Sequence, residues 1–496
     1  MKKITLFNIV FHVCFVFFMM LSVNVYSQVG IGTITPNASS VLDVSSTTQG
    51  MLTPRMTTAQ RIAIASPANG LMVYDTDLKA FHHYDTSTTS WVKISSSADG
   101  RLAFKRIKST DVLATVLATE LAAGGSTKYL FDTNTYYEIN GTVTFNLPID
   151  LNNAYVSGLD ANVDKLVKTS GDLFVGAKGG TVKIVTIAVT GAGSRVFNVD
   201  CLSPSNLQTM VVRDCIIANS VNVGILKNFN MVFFSIVNFS GNTNGIIFEN
   251  ATTLLLSNLA WFGNNAGIYE KYVGTFGMIQ KVGGFMDVTS GKTGVDVSAN
   301  PTITNNAQMS DIVFYGTGTT GTFVVPYTVG GFTGYNFNNK WRVNCAGIPR
   351  EDDAVATGDV NFDYAVGSGV TTTFSGSTKI KLVGNTTSNN LFRFSTDALN
   401  NRLKYTGSRK RYFAVSGALS FQSSAASTTY IVYIAKNGTV INQSKVYVNS
   451  NSSSDIIAIP IVTTVELTTN DYIEVFAERF TGSGNMLTVS LNLVVN

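Results

Sequence analysis

The chain has 496 residues, of which 13% are charged, against about 25% in an ordinary soluble protein, while 45% are apolar. That balance excludes a disordered chain or a charged coiled coil, and a net charge of +4 is too small for a dedicated nucleic-acid binder. Of three histidines, His12 lies near the N-terminus, so His82 and His83 hold all the imidazole of the remaining chain.

Lys2 and Lys3 precede an uncharged apolar run from Ile4 to Val23. Val25-Tyr26-Ser27 then offers small residues at the positions a signal peptidase reads, which predicts a signal peptide over 1–27 and cleavage before Gln28. Left uncleaved, the same run is long enough to anchor the chain in a membrane. Cys14 lies inside the run and not at its end, which argues against a lipoprotein. No later stretch is comparably apolar. An exported protein follows, extracellular, at the cell surface or in a virion, with no membrane span after cleavage. Cys201, Cys215 and Cys345 remain; an odd number allows at most one bridge, and buried thiols in a β core are expected.

Residues 28–95 read as a small β module with one short helix that starts at Thr57-Thr58-Ala59-Gln60-Arg61. The β runs Gly70–Tyr74 and Ser90–Ile94 follow, separated by Asp, Thr and Ser turns. Across 96–125, Leu113, Val116, Leu117 and Leu121 have helical spacing, and Gly124-Gly125 stops the run. This predicts a helical linker or cap from Ser109 onward.

From 126 to 349, strand-like runs recur between Gly and Asn corners. Gly224-Ile225-Leu226, Gly245-Ile246-Ile247 and Gly267-Ile268-Tyr269 begin 21 and 22 residues apart. Asn238-Phe239-Ser240-Gly241-Asn242 matches Ala260-Trp261-Phe262-Gly263-Asn264 at 22, and Gly294-Val295-Asp296 follows Gly267 by 27. The period predicts a right-handed parallel β-helix. Residues 350–390 read as a polar transition segment. From 391 to 496, alternating runs and the Asn437-Gly438 hairpin signal predict an antiparallel sandwich or jelly roll. The fold class expected is all-β: a small N-terminal module, a parallel β-helix and a jelly roll.

Two stretches resemble known families. Gly30-Ile31-Gly32-Thr33, Leu42-Asp43-Val44, Pro54-Arg55-Met56-Thr57-Thr58-Ala59-Gln60-Arg61 and Val73-Tyr74-Asp75-Thr76 resemble a module of exported Bacteroidota proteins and of tail-fibre-like proteins from their phages. That resemblance implies exposure at a surface or on a fibre. Tyr405-Thr406-Gly407, Ile434-Ala435-Lys436-Asn437-Gly438 and Glu466–Val475 resemble the trimeric jelly-roll tips of phage tail fibres, similar in outline to tumour-necrosis-factor-like domains. The repeat itself looks like that of pectate-lyase-like β-helices. Together these imply a homotrimer.

Residues 96–496 contain no histidine, so neither a Ser-His-Asp set nor a His-rich zinc site can be built there. His82 and His83 alternate across a strand and would not share one metal. Gly291-Lys292-Thr293 lacks the leading glycine of a phosphate loop, because Met286 occupies that position. Asp359, Asn361 and Asp363 open like a calcium loop, but Tyr364 and Val370 stand where Gly and Glu are needed, which leaves an exposed strand. Glu249 and Lys271, at equal offsets from their glycines, are expected to stack as an exposed ion-pair ladder, with Glu270 opposite Phe248. Glu351-Asp352-Asp353 reads as a solvated junction. No catalytic residue, metal or cofactor is expected.

Arg409-Lys410-Arg411 with Tyr412 is the basic cluster of the last domain, suited to an anionic surface glycan by charge and to sugar faces by stacking, or else a solvated turn. The reading preferred from these modules is a fibre- or spike-like homotrimer that binds a cell-surface receptor or glycan through its C-terminal tip. A secreted β-helix polysaccharide lyase or hydrolase is the alternative, and a bacterial envelope adhesin a further one.

Overall fold

The computed structural model describes residues 2–20, 28–94, 103–396 and 401–496, in two compact units, 1–100 and 101–496. Lys2–Met20 is an apolar helix; the expected cleavage site at 25–27 lies outside the described residues. Among the described residues no helix is long and apolar enough to cross a membrane.

In the first unit Val29–Ile31 pairs in parallel with Leu42–Val44, and a second sheet joins Arg55–Met56, Met72–Asp75, Ala80–Asp85 and Ser90–Lys93. The local sequence explains the turn between them. Thr57 caps the helix Thr58–Ile62 and Gln60 bonds back to the cap, which satisfies two orphan N–H groups. Arg61 then reaches buried Asp75 at 2.9 Å. Burial alone would raise the Asp75 carboxyl; donors from Leu78, Arg61, Thr58 and Asp77 outweigh it and hold it well below the usual range. His82 is buried, with Nδ1 3.2 Å from the Ala80 carbonyl, while His83 is half-buried on the other face.

The second unit begins with a solenoid, one 20-stranded sheet paired in parallel from Ala103–Lys108 to Trp341–Ala346. The linker expected at 96–125 is in part a strand: Ala103–Lys108 pairs with Thr135–Asn140. The helix breaks at Leu117 into Leu113–Val116 and Ala118–Ala123. Leu113 and Leu117 pack into the solenoid core.

Each coil turns its corners on left-handed residues. Asp214, Ile236, Asn258, Gly283 and Asp311, with φ of 53°, 54°, 52°, 71° and 59°, occupy one bend of successive coils. Asn and Asp tolerate this conformation through local hydrogen bonds, and glycine lacks the clashing Cβ, so the recurrent Asn and Gly mark the bends. At another corner Asn228 donates to Asp200 at 2.7 Å and Asn250 to Asn228 at 3.1 Å, a ladder of stacked amides. Inside, Phe239 lies flat on Trp261 at 3.8 Å and Trp261 on Tyr269 at 5.0 Å.

The 22-residue step between Asn238 and Ala260 holds, but the glycine-based register beyond it does not. Ile246 pairs with Glu270, a step of 24, and the coil lengthens again at the irregularity after Glu249. Lys271 therefore sits opposite Ile247 and binds Asp296 at 3.1 Å, whereas Glu249 binds Lys227 at 3.0 Å. The expected Glu249–Lys271 stack is replaced by these two pairs. Glu270 faces inward, opposite Ile246 rather than Phe248.

The C-terminal body is a two-sheet antiparallel sandwich. One sheet runs Gly358–Asp363, Met486–Val495, Arg411–Ser423, Ile456–Leu467; the other centres on Tyr472–Thr481 between Arg402–Tyr405 and Thr428–Lys436. The segment expected as a polar transition, 350–390, belongs to this body. Gly358–Asp363 and Val370–Thr372 pair with Met486–Val495, and Ile380–Lys381 pairs with Tyr472–Thr481. Val360, Phe362, Phe374 and Leu382 pack beside Phe413 and Leu491 in its core. Asp359 is correspondingly buried, not on an exposed strand, and accepts from the Asn390 N–H at 2.6 Å.

Cys201 and Cys215 are buried and Cys345 is half-buried; all three are free thiols. Burial pushes the Cys201 and Cys215 thiols up to about 12.

Candidate functional site

The basic cluster lies where the sandwich meets the solenoid, not at the far end of the sandwich. The reason is the acidic run, which is buried and not solvated. Glu351 accepts from the Asn336 and Phe337 N–H groups, each at 2.8 Å. Asp352 takes the Arg350 guanidinium at 2.9 Å. One Asp353 oxygen receives the Ser408 N–H at 3.0 Å and the Arg409 N–H at 2.8 Å, and Arg411 bonds the Asp353 carbonyl. Thus Asp353 pulls the 408–411 turn down onto the end of the solenoid. Burial raises the Glu351 carboxyl against its backbone donors and the nearby Arg393 charge.

A cavity of about 320 Å³ opens there, lined by Arg342, Arg350, Asp352, Arg409, Lys410 and Arg411 among others. It adjoins one of about 610 Å³ lined by Gln280, Asn305, Asn306, Gln308 and Ser408, with Arg342 and Arg409 lining both. Lys410 faces Glu466 at 3.3 Å, and the guanidinium of Arg411 lies 4.7 Å over the Phe413 ring. Tyr412 is 66% exposed on the opposite face of its strand. Its hydroxyl is raised by its hydrogen bond to Glu466, and it does not line the cleft. The sequence reading therefore found Arg409, Lys410 and Arg411 but missed Arg342 and Arg350. Arg342 pairs with Gln308, 34 residues earlier, a step too long for the 22-residue period to reveal.

A second feature runs along the outside of the same solenoid face. Phe104, Tyr136 and Tyr155 stand in register on successive coils, with rings stacked at 6.0 and 5.5 Å. The column continues through Thr181 to Val211, Phe233 and Leu255. It ends in exposed Gln280, Gln308 and Arg342. Side chains on either side of it in sequence, such as Tyr137, Val156, Val212 and Phe234, are buried, so the column points outward.

The solenoid acids are largely engaged. Glu270 accepts from Trp261 Nε1, the Tyr272 hydroxyl and Lys281 Nζ at 2.7–2.8 Å in the interior. Asp287 accepts from Thr317, and Asp296 from Ser298 and Lys271. Among the described residues no three His, Cys, Asp or Glu side chains are grouped to hold a metal ion.

Residues 30–143 match the family model described as a phage tail like trimerisation region. That span includes Phe104 and Tyr136. No curated protein matches the chain. Among solved structures, the enzymatically active domain of bacteriophage CBA120 tailspike protein 4 aligns over 90% of this chain and 77% of its own, at 10% identity and a TM-score of 0.22. Eiger TNF from S. frugiperda aligns over 28% of this chain and 92% of its own, at 9% identity and a TM-score of 0.21. The fold follows from the strand pairing described above.

Proposed function

We propose that the chain is a phage-tail-like homotrimeric spike or fibre, exported or virion-associated, that attaches to a cell-surface receptor or glycan. The match of residues 30–143 to a trimerisation region carries the reading. The outward aromatic column supports it, because Phe104 and Tyr136 fall inside that region and Phe104 is 50% exposed. Stacked rings left in water are costly, and three copies meeting on this face would bury them. The receptor contact is assigned to the Arg409-Lys410-Arg411 turn and the cleft beside it. Three weak sites held on one stalk raise avidity without new contacts. In this reading Glu249, Glu270, Asp287 and Asp296 are structural acids, each held by its own donors.

Light scattering behind a sizing column tests the assembly. Residues 28–496 are expected at three times the chain mass, and Tyr136→Asp with Tyr155→Asp should lower that mass. A monomer for the unaltered chain overturns the reading.

A further inference from the structure

We infer that the cleft between the last solenoid strand and the sandwich binds an anionic polysaccharide, with Arg342 and Arg409 as the residues that hold its carboxylate or sulfate groups. The inference rests on the attachment reading above and names the class of ligand.

The charges at the junction are sorted by depth. Asp352 and Asp353 are 8% and 6% exposed; Asp352 binds Arg350 and the Ala354 N–H, one Asp353 oxygen takes Ser408 and the Arg409 N–H, and the other lies 3.5 Å from Arg393. The cations around them face solvent: Arg342, Arg350, Arg409 and Lys410 are all exposed. Arg350 and Lys410 have carboxylate partners in Asp352 and Glu466. The side chains of Arg342 and Arg409 have none among the described residues, and both line both cavities. Two exposed guanidinium groups without partners, one from each body, therefore flank a single cleft. A planar guanidinium offers paired N–H donors that fit carboxylate or sulfate oxygens, and charged pairs of this kind are the stronger hydrogen bonds.

The rest of the lining suits sugar hydroxyls. Gln280 and Gln308 stand below Arg342 in register, at the inter-strand spacing of about 4.8 Å. Asn305, Asn306 and Ser408 close the sides. Neutral amides both donate and accept, as hydroxyls do. No aromatic ring lines either cavity, which disfavours single-stranded nucleic acid, whose bases need stacking platforms.

The full chain is titrated by calorimetry with polygalacturonate, dextran sulfate, neutral dextran and duplex DNA. Binding of polygalacturonate or dextran sulfate, with neutral dextran silent, is expected, and which of the two binds more tightly names the anionic group. Arg342→Ala and Arg409→Ala should each weaken binding about tenfold, and the double variant about a hundredfold. Lys178→Ala, on an exposed loop of an early coil, should change nothing. Arg342→Gln with Arg409→Gln, checked for an unchanged melting curve, guards against a folding defect. Equal binding by the double variant, no binding of either polyanion, or DNA binding with the same arginine dependence would each overturn the inference. The mass in the same samples separates the two readings: a monomer that still binds through Arg342 and Arg409 refutes the trimer and leaves the cleft standing.

Discussion

Arg393 Nη2 donates to the carbonyl oxygen of Trp341 at 2.6 Å, and Nη1 to that of Asn339 at the same distance. A residue at the entrance to a sandwich strand thereby satisfies the backbone of the last solenoid coil. Arg393 is 1% exposed, its guanidinium lies 3.5 Å from the Asp353 carboxylate and also reaches the Glu351 carbonyl, while its Nε has no hydrogen-bond partner among the described residues.

Replacing Arg393 by Ala removes the cation beside the buried Asp353 carboxylate and the donors to the Asn339, Trp341 and Glu351 carbonyls. The expected loss is about 3–5 kcal/mol. Calorimetry should then resolve separate solenoid and sandwich transitions in place of a joint one. Arg393→Lys should recover only part, because an ammonium cannot span both carbonyls. A single unshifted transition in Arg393→Ala would show that the junction is held by packing alone.

Inside the solenoid, Lys281 and Glu270 form a pair 2.8 Å apart, 2% and 0% exposed. Lys281→Met should destabilise by about 3–5 kcal/mol, since it removes the cationic partner of the buried Glu270 carboxylate. Adding Glu270→Gln removes that charge and should restore much of the loss. Chemical unfolding of both variants measures the difference, and equal stability of single and double variants would contradict it.

Two solenoid carboxylates contribute to the acid limit. Burial alone would raise the Asp164 carboxyl, but N–H donors from Gly141, Leu159 and Asp160 outweigh it and lower it from 3.8. Asp296 is lowered likewise by Ser298 and Lys271, again against burial. A folded value below the unfolded one means the unfolded chain binds more protons in that window, so stability is fully present above pH 3.8 and falls as pH drops below it. Thermal unfolding should therefore decline as pH drops below 4. Asp164→Asn should cost about 1–3 kcal/mol at pH 7 and flatten the acid decline. An unchanged acid slope would remove Asp164 from the account.

Ile236 occupies the left-handed bend where its neighbours above and below are Asn258 and Asp214, and it is 48% exposed. A β-branched side chain there bears strain of about 1–2 kcal/mol. Ile236→Asn should raise the unfolding midpoint, while Ile236→Val should not. A lower midpoint for the asparagine variant would mean that Ile236 packs against something the single chain does not show, such as a second copy.

The residues that were legible in sequence are those with a local requirement. Asn238 and Ala260 could be aligned because the Gly-Asn that follows each strand, Gly241-Asn242 and Gly263-Asn264, marks the same turn of the chain. Asn437-Gly438 announced its hairpin for the same reason. The Arg61–Asp75 pair explains why Pro-Arg-Met-Thr-Thr-Ala-Gln-Arg stands out as a string, since a cap, a capping partner and a buried cation must fall on fixed positions. Lys271 was misplaced because coil length changed after Glu249, and nothing local records how many residues a corner holds. The 350–390 segment is not legible because its strands are short and polar on one face, and their apolar face is filled by residues distant in sequence, such as Phe413 and Leu491.

Sequence alone determined the β architecture, the order of its bodies and the scarcity of imidazole, because alternation, corner conformations and composition are properties of the chain itself. The tertiary structure decided where charge is buried. Glu351, Asp352 and Asp353 read as a solvated run until Arg393, Ser408 and Asn336 close over them, and Arg342 joins Arg409 only when the last coil meets the sandwich. Desolvation depends on partners brought together by folding, so neither the buried acids nor the cleft they organise has a signature in the linear chain.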